Sequence, residues 1–235
     1  LISAGPSAGW RSGSCARAGF EDSTPHVSRV FMKGLNTTER ASSLLRAWGC
    51  YHSPVAFMLD ASRADAHIRS DLHKAKFDMY MTMLSSEARH HLRAIMPSYL
   101  KPKFARTSGI KVKVDGYLMS GVMDTSLTAN IVFWMLHSLF RMACLNEHGI
   151  GDMVRREIHD FPGVALGAYD WMALLDGDDC VLMCESGLAN VLRPLIGPFY
   201  ALFGVEMRVE GVVSRFEDIE FCQSKPVEYS PGRFK

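Results

Sequence analysis

Residues 171–175 and 180–184 are short apolar runs on either side of Asp176-Gly177-Asp178-Asp179, and a third run, 55–59, ends at Asp60. Five apolar residues bounded by turn signals read as a buried strand. Asp-Gly accepts the positive φ of a two-residue hairpin turn, so 171–184 predicts an antiparallel hairpin with carboxylates at its tip. The chain therefore has to fold around strands whose ends carry acids: Asp60 with Asp65, and Asp178 with Asp179. Acids so placed build a core poorly but hold paired divalent cations well, which points to metal-dependent chemistry on phosphates.

At 235 residues, 48% hydrophobic and 22% charged, the chain can bury one sizeable core with a small annex. A net charge of +1 excludes a uniformly basic nucleic-acid binder, so phosphate contacts must come from local clusters. One such cluster is Lys101, Lys103, Arg106, Lys111 and Lys113, with Tyr99 and Phe104 among them; an ordinary solvated loop is the equal alternative. The cysteines show no C-x-x-C pair and no zinc spacing, and read as buried reduced thiols of an intracellular protein. No signal peptide opens the chain, which starts at Leu1 without methionine, and a piece of a longer protein is expected.

Residues 1–26, rich in Gly, Ser and Ala at the start, read as a flexible leader. Asn36 and Glu39 have capping-box spacing before a helix over 37–48, stopped by Gly49. Ile68, Leu72, Ala75, Met79 and Met83 recur at helical spacing and predict one buried stripe. Asp65 is equally well placed to cap that helix. The stretches 111–114 and 117–120 flank Asp115-Gly116 and predict a second hairpin, leading into a long helix over 125–147. Its apolar part is interrupted by His137, Ser138 and Arg141, which suits a buried helix better than a membrane span. A helix over 186–203, kinked at Pro194 and broken at Pro198, then strands over 205–210 and 219–223 and a frayed end complete the reading. His67 lacks partner spacing for a metal ligand.

LDASRADAH at 59–67, SGVMDTSLTAN at 120–130 and LLDGDDCVLM at 174–183 resemble, in order and spacing, motifs A, B and C of viral RNA-dependent RNA polymerases. VFMKGLN at 30–36 and IEFCQSKPV at 219–227 are similar to segments of tombusvirus-like positive-strand RNA virus polymerases. The resemblance implies an α+β fold of the polymerase palm type: a small antiparallel sheet with helices packed on one face, plus parts of the fingers, over 27–235 (motifs A to E). It implies RNA-directed RNA polymerase activity, with Asp60, Asp178 and Asp179 as catalytic acids holding Mg²⁺, or Mn²⁺. Asp65 would recognise the ribose, supported by Thr125, with Asn130 either a ribose contact or a core hydrogen-bonding residue; Ser120 and Gly121 would contact template and nascent pair; Phe221, Cys222 and Gln223 would support the primer strand. Implied partners are an RNA template and nascent strand, ribonucleoside triphosphates and replication factors, in the host-cell cytoplasm within a membrane-associated replication complex.

Three positions depart from the family pattern. The motif B asparagine is expected at 129, where Ala129 stands, and Asn130 is one helix step, about 100°, away. Ala64 replaces a bulky aromatic. Arg208 stands where relatives have a lysine, and an arginine stabilises charge but donates protons poorly. The basic triphosphate-gripping segment and the thumb of the family are not found within residues 1–235, so this segment in isolation is expected to be inactive. Two other readings stay open: a reverse transcriptase-like palm, separated by deoxyribonucleotide preference, and a catalytically silent RNA-binding replication scaffold, separated by RNA binding without metal uptake.

Overall fold

A computed structural model describes residues 30–100, 103–114, 124–161 and 171–235. The leader, the Asp115-Gly116 turn, Ser120 and Gly121 lie outside these residues. The centre is a four-stranded antiparallel sheet of β1 (Pro54–Ala61), β4 (Met172–Asp176), β5 (Asp179–Glu185) and β6 (Met207–Val213), in the order β4-β5-β1-β6. A strand turns successive side chains to opposite faces. Phe57, Leu59, Ala173, Leu175, Cys180 and Leu182 therefore enter one core, while Ala56, Leu174, Val181 and Met183 enter another.

The first core is closed by α5 (Thr125–Cys144), a 20-residue helix without Gly or Pro, and α7 (Ser186–Ala201). Phe133, Leu136, Phe140, Leu192, Ile196, Phe199 and Tyr200 are no more than 1% exposed, each worth roughly 1.5–3 kcal/mol of apolar burial. By length and composition α5 could cross a membrane, but 61% of it is buried inside the fold, and it is a core helix. The second face is covered by α1 (Thr37–Trp48) through Leu44 and Ala47, and by Phe216, Ile219 and Phe221. The α+β palm expectation is met, with α1 added on the face that a one-sided arrangement would leave open.

Local signals place several elements well. The Asn36 side chain accepts from Glu39 N–H at 2.9 Å and Glu39 accepts from Asn36 N–H at 3.0 Å, the reciprocal box that starts α1. Elsewhere the expectations need correction. α3 (Ser70–Met83) buries Leu72, His73, Lys76 and Phe77 rather than the methionine stripe; Met79 is half-buried and Met83 is 52% exposed. Asp65 is not the N-cap of that helix: it lies inside the short α2 (Ala64–His67), and the N-cap of α3 is Arg69.

The cationic stretch is not a loop. After α4 (Ser86–Leu100) it forms β2 (Lys103–Thr107) and β3 (Ile110–Val114), paired around Ser108-Gly109, both at positive φ. Strand 111–114 thus has an upstream partner. α5 ends at Cys144, and Gly149, at φ +73°, starts α6 (Ile150–Arg155) instead of following one longer helix. α7 runs unbroken through Pro194 and Pro198. Four residues apart and both exposed, they leave their lost hydrogen bonds on the water side. Residues 219–223 form no strand: Phe221 and Ser224 bridge a tight turn with Cys222 and Gln223 at φ +51° and +58°. The end is a hairpin of β7 (Glu228–Ser230) and β8 (Arg233–Phe234), with Phe234 against Phe216 at 4.8 Å.

Candidate active site

Register brings the remote acids together. Leu59 pairs with Cys180 across β1 and β5, and Leu175 pairs with Cys180 across β4 and β5. One residue further on, Asp60, Asp179 and Asp176 emerge side by side on the face opposite that pair, with Asp176 directly facing Asp179. Directly opposed residues hold their Cβ atoms about 4.5–5.5 Å apart. Asp178 sits at the tip of the turn. Gly177 has φ +77° and Asp178 does not share it, the pattern of a turn with glycine at its first central position.

A bulge sharpens the aim of Asp60. β1 and β6 shift register between Met58 and Leu59, so Met58 faces Gly211 while Asp60 faces Arg208. A Cβ on Gly211 would stand 2.5 Å from Met58 Cε, the end of a flexible side chain that can turn aside.

The electrostatics are those of an anionic cradle. The Asp178 carboxyl is raised above its usual range by burial first and then by Asp60, Asp65 and Asp176. Asp179 is raised by burial, then by Asp178, with Asp60 and Asp176 adding to it while Cys222 pulls the other way. Cys222, beside Asp176 and Asp179, has its thiol pushed up to about 12 by burial first and by those carboxylates next. Like charges gathered at a half-buried edge oppose one another unless a cation joins them. Among the described residues no group of three or more Asp, Glu, His or Cys side chains is placed to hold a metal ion by itself. Magnesium takes one or two carboxylates and completes its octahedron with water and phosphate oxygens. The hard oxygen donors of Asp60, Asp178 and Asp179 fit it.

The structure also brings in residues that sequence reasoning missed. Asp176, with 7% of its side chain exposed, is held by Arg40 at 3.0 Å and Lys33 at 3.3 Å, and the Arg40 guanidinium lies 5.6 Å from the Phe221 ring centre. The only advance signal was Lys33 in VFMKGLN. A second cluster lies at the head of α5: fully buried Lys76 donates to Asp124 at 3.0 Å and to Thr128 at 2.9 Å, and Tyr99 donates to Asp124 at 2.9 Å. Asp124 immediately precedes Thr125, the half-buried first residue of α5.

The other expected site residues are not all gathered in one place. Asp65 is close enough to act on Asp178. Asn130 is 4% exposed and bonded to Ser126 and Gly177. Arg208 lies beside Asp60 in the sheet, but its exposed guanidinium is bound by Glu206, so the charge-stabilising role expected of it competes with that pair. Phe221 is buried under the sheet while Cys222 and Gln223 form the adjoining turn, which leaves Gln223, exposed, as the member of the three most open to an RNA strand.

The family described as "Viral RNA dependent RNA polymerase" matches residues 25–147 and 165–235. The chain is 29% identical over 198 residues to the RNA-directed RNA polymerase of Tobacco necrosis virus (strain A), covering 83% of this chain and 24% of that protein. It is 30% identical over 196 residues to that of Melon necrotic spot virus, covering 81% and 22%. With Groundnut rosette virus (strain MC1) the RNA-directed RNA polymerase match is 27% over 195 residues, covering 83% and 20%. The chain thus spans less than a quarter of each relative's length. With the match running across the acid-bearing sheet and both of its faces, this chain belongs to the viral RNA dependent RNA polymerase family.

Proposed function

We propose that this chain is the palm core of an RNA-directed RNA polymerase, transferring nucleotidyl groups from ribonucleoside triphosphates to an RNA 3′-hydroxyl on an RNA template. The observation that carries it is the emergence of Asp60, Asp179 and Asp176 on one face of adjoining strands, with Asp178 at the turn between them.

In this reading Asp60 and Asp178 hold divalent cations, Mg²⁺ or Mn²⁺, and Asp179 adds charge beside them. Bound there, such ions would polarise phosphate oxygens and favour the ionised hydroxyl in an in-line displacement. The protein's own part is to keep the acids in register, half-buried, so that their charge has nowhere to relax except onto the cations and substrate. Asp65 accepts a hydrogen bond from the ribose 2′-hydroxyl, as a carboxylate can, with Thr125 at the head of α5 behind it. Arg40 and Lys33 pair with Asp176, which limits what this fourth acid adds to the repulsion on Asp178 and Asp179.

The test is primer extension on an RNA template by the full-length protein. Asp60→Asn and Asp178→Asn should each abolish incorporation. Activity surviving both would overturn the reading, and a preference for deoxyribonucleotides would replace it with a reverse transcriptase.

A further inference from the structure

We propose that Asn130 is a positioning residue that locks the Gly177-Asp178 turn, and is not a ribose contact; this deepens the polymerase reading above and rests on it. Asn130 Oδ1 accepts the Gly177 N–H at 3.1 Å, and its Nδ2 donates to Ser126 O at 2.8 Å. The orientation of the amide follows from its partners, because a backbone N–H only donates and a backbone carbonyl only accepts. At 4% exposure the side chain is in the interior, and its one acceptor faces the turn.

The bond spans 47 residues of sequence and joins the core helix to the loop that carries Asp178. Asp176 and Asp179 close the ladder, so Gly177 N–H lies beyond it and takes its partner from α5. A half-buried N–H left without a partner is unfavourable, which shifts a two-residue turn toward conformers that expose it to water. The one-step displacement in sequence then has a structural meaning. Ala129, at the family's usual asparagine spacing, is 8% exposed and packed in the core. The amide one step round the helix reaches the turn instead.

Three measurements on the full-length protein test this. In wild type, with glycine amides labelled and no metal added, the Gly177 amide should exchange with solvent more slowly than the exposed turn amides of Gly34 and Gly109. Exchange as fast as theirs overturns the proposal without any variant. In primer extension, Asn130→Ala should lower kcat about 10- to 100-fold, as loss of a supporting partner does. KM for the nucleotide and the preference for ribo- over deoxyribonucleotides should stay within about threefold of wild type, because no substrate contact is lost. Asp65→Ala, by contrast, should erode that preference. Moving the amide in Ala129→Asn/Asn130→Ala should not restore kcat. Unchanged kcat in Asn130→Ala, a tenfold loss of ribose preference there, or rescue by the moved amide would each overturn the positioning role. Failure of the polymerase reading is seen separately, as wild type no more active than Asp178→Asn.

Discussion

Replacing Asp124 by Asn should cost more stability than replacing its partner Lys76 by Met, although each change breaks the same ion pair. Lys76 is fully buried, whereas the Asp124 side chain is 25% exposed. Burial lowers the Lys76 pKa against the opposing pull of Asp124. In Asp124, burial pushes upward and is outweighed by Lys76, Tyr99 and Thr128, which hold the carboxyl below its usual range. The pair is therefore ionised, with the desolvation falling mainly on the lysine. In Asp124→Asn the ammonium keeps Thr128 and the rings of Phe77 at 4.4 Å, Tyr99 at 4.9 Å and Tyr80 at 5.8 Å, but no counter-charge. Its escape is to shed a proton, which for a lysine of usual pKa 10.5 costs at most about 5 kcal/mol at pH 7. Orphaning a buried charge costs about 3–5 kcal/mol, so the two bounds agree. In Lys76→Met the carboxylate keeps Tyr99 and Thr128 as donors and some water, and the loss should be about 1–2 kcal/mol. The double variant should fall at least about 2 kcal/mol short of additivity. Urea titrations of the chain at pH 7, followed by tryptophan fluorescence, measure all three. Additive losses, or Asp124→Asn costing no more than Lys76→Met, would refute the reasoning.

Acid should expose His137, whose pKa is pulled from 6.5 to about 3 by burial. Between those values the unfolded chain binds a proton that the folded chain refuses, so stability falls with pH by about 1.4 kcal/mol per pH unit, about 2 kcal/mol by pH 5. His137→Gln should flatten that decline in urea midpoints compared at pH 7 and pH 5. At the acid cluster the sign is opposite: the folded chain holds protons on Asp178 and Asp179 more tightly, so metal-free stability falls as pH rises from the usual carboxylate range through the raised one. At pH 7, Mg²⁺ at ten times its Kd should add about 1.4 kcal/mol and raise Tm by about 3–6 °C; Asp178→Asn should melt no lower without metal and gain nothing from it. An equal Mg²⁺ response in that variant would count against Asp178 as a ligand.

What could be read in advance divides by how far the controlling contact lies along the chain. The Asn36–Glu39 box and the Asp176–Asp179 turn act within a few residues, so α1, β4 and β5 follow from local spacing. The acids of the candidate site were legible for a related reason: a two-residue period puts Asp60 and Asp179 on the face opposite Leu59 and Cys180 once the strands pair. The misses were decided by partners far away. Lys76 looks like a solvated position until Asp124, 48 residues on, draws it inward. Its burial, with His73 and Phe77, rotates α3 so that Met83 faces water. Asp176 looks like a turn residue until Arg40, 136 residues back, binds it. Cys222 and Gln223 carry no local signal for positive φ, since neither is Gly, Asn or Asp, and it is buried Phe221 beside them that anchors the turn. The polar contacts that hold the acids in place are thus longer-range than the acids' own pattern. A chain could keep every aspartate of the three motifs and still lose the geometry if Lys76, Asn130 or Arg40 changed, and sequence motifs built on the acids alone would not register the loss.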